Sequence, residues 1–449
     1  MKALKGVPEP GGALPLLGHA LPLIRSPFEF LRSLHTYGDL VQLRLGPSRM
    51  VVVCTPELTH ELLVRDRVFD KGGAFFERAR DSVAGNGIFA CPAHQHRRQR
   101  RLLQPAFHRA NLPSYARVMS EKIAGVVDAW SDGQILDVGR EMQTITSRIM
   151  LSAMLGDTLD DTAMAEIDDN VSLLVTGLYV RMLLPEALGT TRIIPSNRRY
   201  VRATERARQL IADAITFRRA STSDSHDDLL ARLLEVRDVE GSGEAMSERE
   251  LIDQVSTFYV AGSETTANTL AWVLALSAQH PQVARKLSDE ADAALAGNTA
   301  TWDELPQLTY TRNALSEALR LYPPAWLLTR TTTSEAQLGE YTIPAGTNVA
   351  YSPYIVGRLP DSYADPERFD PDRWSADAER VPSRNAFVAF GAGARKCIGD
   401  EFGMTEAVLA LASIMKRFEV TSQPGDGHKP QVGASLRPKA LRLKVTARG

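Results

Sequence analysis

The sequence predicts a mainly α fold of the α+β kind, helix-rich with small β-sheets. Three observations predict it. Apolar residues recur at helical spacing from about Leu102 to Arg237. A second, longer helical pattern starts at Ser247 and runs toward Gln279. Strand-like alternation is confined to short stretches near either end of the chain.

At 449 residues the chain is long enough to bury a large core, and the order of its segments reads as one mixed unit with a proline-rich lead-in over residues 1–30. Lys and Arg number 52 against 54 Asp and Glu, a net charge of -2, so no global field draws it to nucleic acid or anionic lipid. The three cysteines, Cys54, Cys91 and Cys397, exclude a disulfide framework and a four-thiolate metal site, and they fit a reducing cytoplasm.

In order, the lead-in MKALKGVPEPGGALPLLGHALPLIR is broken by Pro15, Gly18, His19 and Pro22, too early to make a transmembrane anchor. It is expected to pack on the domain, with a weak lipid contact through Leu14, Leu16, Leu17, Leu21 and Ile24 as the other reading. VQLRLG and RMVVVC, separated at Gly46 and Pro47, read as a hairpin. ARVMSEKIAGVVDAW and SRIMLSAMLG typify the helical middle, and STSDSHDD and VEGSGEAMS read as surface loops within it.

Ser247 and Glu250 have the spacing of a capping box, which opens the long helix. Midway lies Ala261-Gly262-Ser263-Glu264-Thr265-Thr266, where a glycine, a carboxylate and hydroxyl residues lower helix propensity together, and local rules broken mid-helix point to function. LGEYTIPAGTNVAY then alternates as strand and turn, Ser362 to Arg395 is irregular, and a helix follows from about Cys397 to Phe418.

The strongest chemical signal is Phe390-Gly391-Ala392-Gly393-Ala394-Arg395-Lys396-Cys397-Ile398-Gly399. Its glycines let backbone approach a flat cofactor, and the following helix N-terminus stabilises a thiolate. A lone cysteine elsewhere would read as a buried structural thiol, the assignment given to Cys54 and Cys91. Glu317-Ala318-Leu319-Arg320 places two opposite charges three residues apart, by itself a common surface salt bridge.

The glycine-cysteine segment resembles the haem-binding signature of the cytochrome P450 family, and the resemblance spans nearly the whole chain, 1–449, as one P450 domain without a fused reductase. It implies the cytochrome P450 fold around a buried haem b (iron protoporphyrin IX), with Cys397 as the iron ligand, Phe390, Gly391 and Gly399 in the cofactor loop, and thiolate electron donation favouring O–O cleavage. It pairs Glu317 and Arg320 with Arg373, taken from Phe369-Asp370-Pro371-Asp372-Arg373-Trp374, in a bracing triad; Arg368, in the similar Pro366-Glu367-Arg368-Phe369, is expected to be an exposed charge. The long-helix segment resembles the family's oxygen-activation motif, with Thr265 hydrogen-bonding the bound dioxygen and Glu264 relaying protons. His96, Arg100, Arg330 and Arg395 map to the haem propionates.

The resemblance further implies a pocket lined by Ala84 to Ala90, the helix near Phe258 and Tyr259, Ala325 to Thr329, and the turn at Ala434 and Ser435. Ile88, Phe89, Phe258, Tyr259, Ala261, Trp326, Leu327 and Leu328 are the pocket candidates, mostly bulky and uncharged, which fits a lipophilic substrate; each is equally explicable as ordinary core. SLLVTGLYVRMLLPEALG is apolar enough for a lid or for a buried helix pair. The implied reaction inserts one oxygen atom of O2, with electrons from a ferredoxin or flavodoxin and its reductase. Arg97, Arg98, Arg101 and Lys396 are candidates for the patch where that partner docks. Cyclic terpenes lead as substrates, ahead of macrolides and fatty acyl groups. A peroxide-driven haem enzyme and a non-catalytic haem sensor are the rivals, both disfavoured by the Glu264–Thr265 pair.

Overall fold

The computed structural model describes residues 4–158, 161–183, 194–220, 228–241, 243–378, 383–423 and 429–448. Along the chain the elements are helices α1 (Ala20–Arg25) and α2 (Pro27–Ser33), strands β1 (Leu40–Leu45) and β2 (Ser48–Val53), α3 (Pro56–Val64), β3 (Phe69–Asp70), α4 (Gly73–Arg80), α5 (Ala93–Leu103), α6 (Leu112–Val127) and β4 (Ile135–Asp137). Then come α7 (Val138–Leu155), α8 (Asp161–Leu183), α9 (Pro195–Ala220), α10 (Leu229–Glu235), α11 (Glu248–Gln279), α12 (Pro281–Ala294) and α13 (Thr309–Leu321). Strands β5 (Leu328–Thr332), β6 (Ala336–Leu338), β7 (Tyr341–Ile343) and β8 (Asn348–Tyr351) precede α14 (Pro353–Val356) and α15 (Asp400–Arg417), and β9 (Phe418–Ser422), β10 (Pro430–Gln431), β11 (Arg437–Pro438) and β12 (Arg442–Ala447) close the chain. Among the described residues no helix is long and apolar enough to cross a membrane. STSDSHDD, except Asp228, and the end of the apolar stretch after Leu183 lie outside the described residues.

The chain divides into two compact units, Met1–Gly73 with Leu319–Cys397 and Ala74–Ala318 with Ile398–Gly449. The first is built on a sheet of order β1-β2-β8-β5-β3. The expected hairpin is there, with Leu40 opposite Val53, and β8 lies parallel to β2 with Val349 opposite Val51. Leu40, Val51, Val53, Leu62, Phe69, Val349 and Tyr351 share one core cluster. The lead-in enters it through Leu4 and Val7, and buried His19 ties it down by bonding the Pro10 carbonyl at 2.9 Å and accepting the Arg44 amide at 3.0 Å. Its apolar tip does not pack as expected: Leu14, Leu17 and Ile24 are exposed and Leu16 is 94% exposed, because the Leu14–Gly18 bridge turns Leu16 outward at a φ of 65°.

The second unit is mainly helical. The capping box at Ser247 and Glu250 forms as the sequence predicts, each satisfying the other's backbone amide. Helix α11 runs 32 residues from that cap. Its hydroxyl side chains do not break it, because Ser263, Thr265 and Thr269 each donate back to the carbonyl four residues earlier, at 2.7 to 2.9 Å. A small sheet, β4-β12-β9, closes this unit.

Candidate active site

In the first unit, the cysteine loop is shaped by Gly391 and Gly393, both in the left-handed region at φ of 70° and 66°. A Cβ on Gly393 would stand 2.6 Å from the Leu63 carbonyl of α3, so only glycine fits there; one on Gly391 would meet nothing within 4 Å, leaving open space above the loop. The Cys397 amide donates to the Phe390 carbonyl at 2.8 Å, closing the loop, and the Cys397 side chain is exposed. Cys54, by contrast, is buried in the core, and burial pushes its thiol up to about 12. An accessible thiol on a glycine loop with open space beside Gly391 fits a residue set that would hold a haem iron and admit its flat face.

Two arginines assigned to the propionates are held in the same unit. Arg395 is 8% exposed and donates to Asp70 at 2.7 Å. Arg330 is 2% exposed, lies over the Tyr351 ring at 5.4 Å and donates to the Thr329 carbonyl. Arg320 holds the preceding segment with its guanidinium fork, reaching the Gly357, Pro366 and Arg368 carbonyls at 2.6, 2.6 and 3.0 Å. Arg320 and Arg373 both lie over the Tyr363 ring, at 4.8 and 5.8 Å, while Arg368 is exposed. Glu317, three residues before Arg320 on α13, is fully buried.

In the second unit, α11 is buried from Asp253 to Val260 and again from Thr266 to Ser277, but Ala261 is exposed and Gly262, Glu264 and Thr265 are partly so. The window opens at the segment singled out in the sequence. Burial pushes the Glu264 carboxyl up to about 7, opposed by the positive charge of Arg437 and a hydrogen bond from Asn268. Asn268 also donates to Ser435 at 2.8 Å, and Trp272 donates to the Leu436 carbonyl at 3.1 Å, so the Ala434–Arg437 turn is fastened to α11 beside Glu264. His96 is buried on α5, and Arg100 one turn later donates to Gln104 at 2.7 Å.

Asn268, Arg437 and Glu406 were not anticipated. Asn268 had a signal, lying one turn after Glu264 on the same helix; Arg437 and Glu406 had none beyond their charge. Glu406 of α15 is fully buried, with its carboxyl pushed well above the ordinary value by burial and only partly relieved by the Thr266 hydroxyl. Neither of its oxygens finds a partner at full hydrogen-bonding geometry among the described residues.

The pocket candidates divide. Ile88 and Phe89 lie on the segment before α5, Ile88 buried and Phe89 tilted against Phe76 at 5.8 Å. Leu327 and Leu328 stay partly exposed. Phe258 instead packs in an aromatic cluster, 5.0 Å from Phe107, which also meets Phe402. Tyr259 is turned toward α7 and α8, sharing a 2.9 Å hydrogen bond with Ser147 and donating to the Ile167 carbonyl. Trp326 packs edge-on to Phe28 at 6.1 Å. Each of these three makes core contacts. The four-residue basic patch is also revised: Arg98 pairs with Glu250 at 2.6 Å, and Arg101 grips Asp238 with two nitrogens at 2.9 to 3.2 Å. Arg97 and Lys396 are exposed.

The glycine-rich thiol loop of the first unit and, separately, the acid–alcohol pair of the second are features of the kind a haem-thiolate oxygenase carries. The cytochrome P450 family model matches residues 8–445, and the chain belongs to that family. It is a monooxygenase with haem b as cofactor, acting on a lipophilic substrate with O2 and with electrons from separate redox proteins. Among its relatives, the pentalenene oxygenase of Streptomyces avermitilis is 41% identical over 97% of this chain and 96% of its own length. The cyclooctatin synthase of Streptomyces melanosporofaciens is 42% identical over 97% and 94%, and the cyclooctat-9-en-7-ol 5-monooxygenase of the same organism is 41% identical over 92% and 89%. The fold matches the crystal structure of the cytochrome P450DA heme domain with a TM-score of 0.89 and 26% identity, covering 100% of this chain and 98% of that one.

Proposed function

We propose that this protein is a cytoplasmic terpenoid hydroxylase in which Cys397 ligates the haem iron and Glu264 and Thr265 manage proton delivery. The observation that carries the reading is the window at Ala261, where a carboxyl with a pKa near 7 and a hydroxyl emerge together from an otherwise buried helix. The substrate class rests on three relatives whose names carry pentalenene, cyclooctatin and cyclooctat-9-en-7-ol, and on candidate lining groups without charge.

Haem, when bound, supplies the iron centre at which dioxygen is reduced and one oxygen atom is transferred. His96, Arg100, Arg330 and Arg395 would hold its propionates, with Phe390, Gly391 and Gly399 lining the thiolate loop. Glu317, Arg320 and Arg373 brace the chain that leads into that loop. Burial pushes the Glu264 carboxyl up to about 7, so near neutral pH it can both hold a proton and give it up. The Thr265 hydroxyl donates a hydrogen bond to the Ala261 carbonyl at 2.7 Å and leaves its oxygen open to an incoming donor. Ile88, Phe89 and Ala261 of the second unit would hold an apolar substrate by area and shape and exclude water from the reaction.

The test is the reduced carbon monoxide spectrum of the haem-loaded protein, followed by turnover of pentalenene with a ferredoxin and its reductase. A red-shifted Soret band that is lost in Cys397→Ser, a hydroxylated product, and a Thr265→Ala variant releasing more peroxide per product support the reading. A haem-loaded, folded protein without that band removes Cys397 from its role, and a tightly coupled Thr265→Ala variant removes Thr265 from its own.

A further inference from the structure

A cavity of 870 Å³ lies wholly within the second unit, with walls from the end of α4, the end of α8, the middle of α9 and the first turns of α11. Five arginines line it: Arg78, Arg80, Arg181, Arg208 and Arg249. Two of the four lining carboxylates are already engaged. Asp253 accepts Arg208 at 2.6 Å, and Glu250 accepts Arg98, which is not part of the lining, at 2.6 Å. The other two, Asp81 and Glu205, are exposed to water. Among the described residues no carboxylate pairs with Arg80, Arg181 or Arg249, so the wall carries an excess of positive charge.

Two of these cations are placed against local preference. Gly177 of α8 leaves room for the Tyr200 ring, which a Cβ there would meet at 1.9 Å, and Arg181 one turn later covers that ring at 3.5 Å from its centroid. Arg181 donates only to neutral acceptors, the Gly177 carbonyl and the Asn197 side chain, both at 3.1 Å, and partial burial holds its pKa below the ordinary arginine value. Arg249 stands in the first turn of α11, where the helix dipole disfavours a cation. Thr204, which also lines the cavity, keeps its hydroxyl without a partner among the described residues. Local rules broken together at one cavity point to an occupant.

We propose that this cavity binds a phosphate group, free or carried on an organic molecule, through Arg80, Arg181 and Arg249. None of the three takes part in the oxygenation chemistry, and the inference does not depend on it. Arginine forks match phosphate oxygens in pairs and stay charged when partly buried. A phosphate dianion there balances the excess charge of the wall, and beside the first turn of α11 it gains from the same dipole that disfavours Arg249. The cavity holds far more than a bare phosphate fills, which leaves space for an organic body.

The test is isothermal titration calorimetry of the haem-loaded protein at fixed ionic strength, with inorganic pyrophosphate and phenyl phosphate as probes. Both are expected to bind. Arg181→Gln and Arg249→Gln are each expected to weaken binding about tenfold, the loss of one charge-assisted pair. Arg148→Gln, which removes an exposed arginine of α7 outside the cavity, is expected to stay within about twofold of wild type. Tighter binding of phenyl phosphate assigns the site to an organic phosphate; otherwise the free anion is the ligand. Arg249 is exposed, so Arg249→Gln decides the case where Arg181→Gln does not accumulate. Thermal unfolding gives a second readout, with pyrophosphate raising the midpoint in wild type and less in the two cavity variants. No heat of binding from either probe, cavity variants that bind like wild type, or an equal loss in Arg148→Gln overturns the proposal. A missing thiolate spectrum in wild type counts against Cys397 alone and leaves these outcomes as they stand.

Discussion

Replacing Glu264 by Gln tests the electrostatics of the window directly. In the folded protein the Glu264 carboxyl is pushed from 4.5 up to about 7, chiefly because burial penalises its charged form. A difference of that size corresponds to roughly 3 kcal/mol, an upper bound for a side chain that water partly reaches, and about 2 kcal/mol is the working figure. The folded value lies above the unfolded one, so the folded state binds more protons than the unfolded state between pH 4.5 and 7. The contribution of Glu264 to stability is therefore complete below about pH 4.5 and is lost as pH rises to 7. Gln has no such titration. The stability of Glu264→Gln minus that of wild type is expected to rise by about 2 kcal/mol from pH 5 to pH 8 and then level off. Denaturant unfolding of the two holoproteins at pH 5, 6, 7 and 8, followed by the Soret band and by circular dichroism, measures that difference while cancelling the other groups that titrate. A difference that stays flat within about 0.5 kcal/mol would refute the argument that burial holds this carboxyl near neutrality. The same experiment bears on catalysis: product formation by wild type is expected to decline as pH rises through 7, and the Gln variant is expected to lack that inflection.

Three further outcomes follow from packing. Gly393→Ala, which forces a Cβ toward the Leu63 carbonyl at a positive φ, is expected to cost about 2 kcal/mol and to lower haem content; an unchanged denaturation midpoint would show that the loop can yield. Arg320→Lys keeps the charge but loses the fork that serves three carbonyls, and thermal unfolding should register a loss of about 3 kcal/mol, with no measurable loss counting against the bracing role. Glu406→Leu removes a buried carboxyl whose oxygens lack full hydrogen bonds and is expected to stabilise the protein by about 1 kcal/mol at pH 7, whereas a clear loss in urea unfolding would mean that the carboxyl is partnered in solution.

Features encoded locally were readable from the residues alone. The box at Ser247 and Glu250 needs only four consecutive residues, the hairpin at Gly46 and Pro47 about a dozen, and the cysteine loop ten; all three form as expected. Side-chain direction was less accessible. Helix α11 buries polar and apolar residues on several sides, so periodicity could not show that Phe258 faces Phe107 and that Tyr259 faces Ser147. Partners distant in sequence were invisible as well. Arg101 looked like a surplus cation until Asp238, 137 positions away, came to meet it. Glu406 carried no signal because an isolated Glu in a helix usually faces water, and only the fold reveals that this one does not.

The Thr265 hydroxyl bonds back to Ala261, and its β-branch restricts the torsion about Cα–Cβ within a helix. Serine would supply the same hydroxyl with more freedom to turn. What position 265 stores is therefore an angle as well as a functional group, and an angle held by the helix itself needs no help from neighbouring elements to survive substrate exchange.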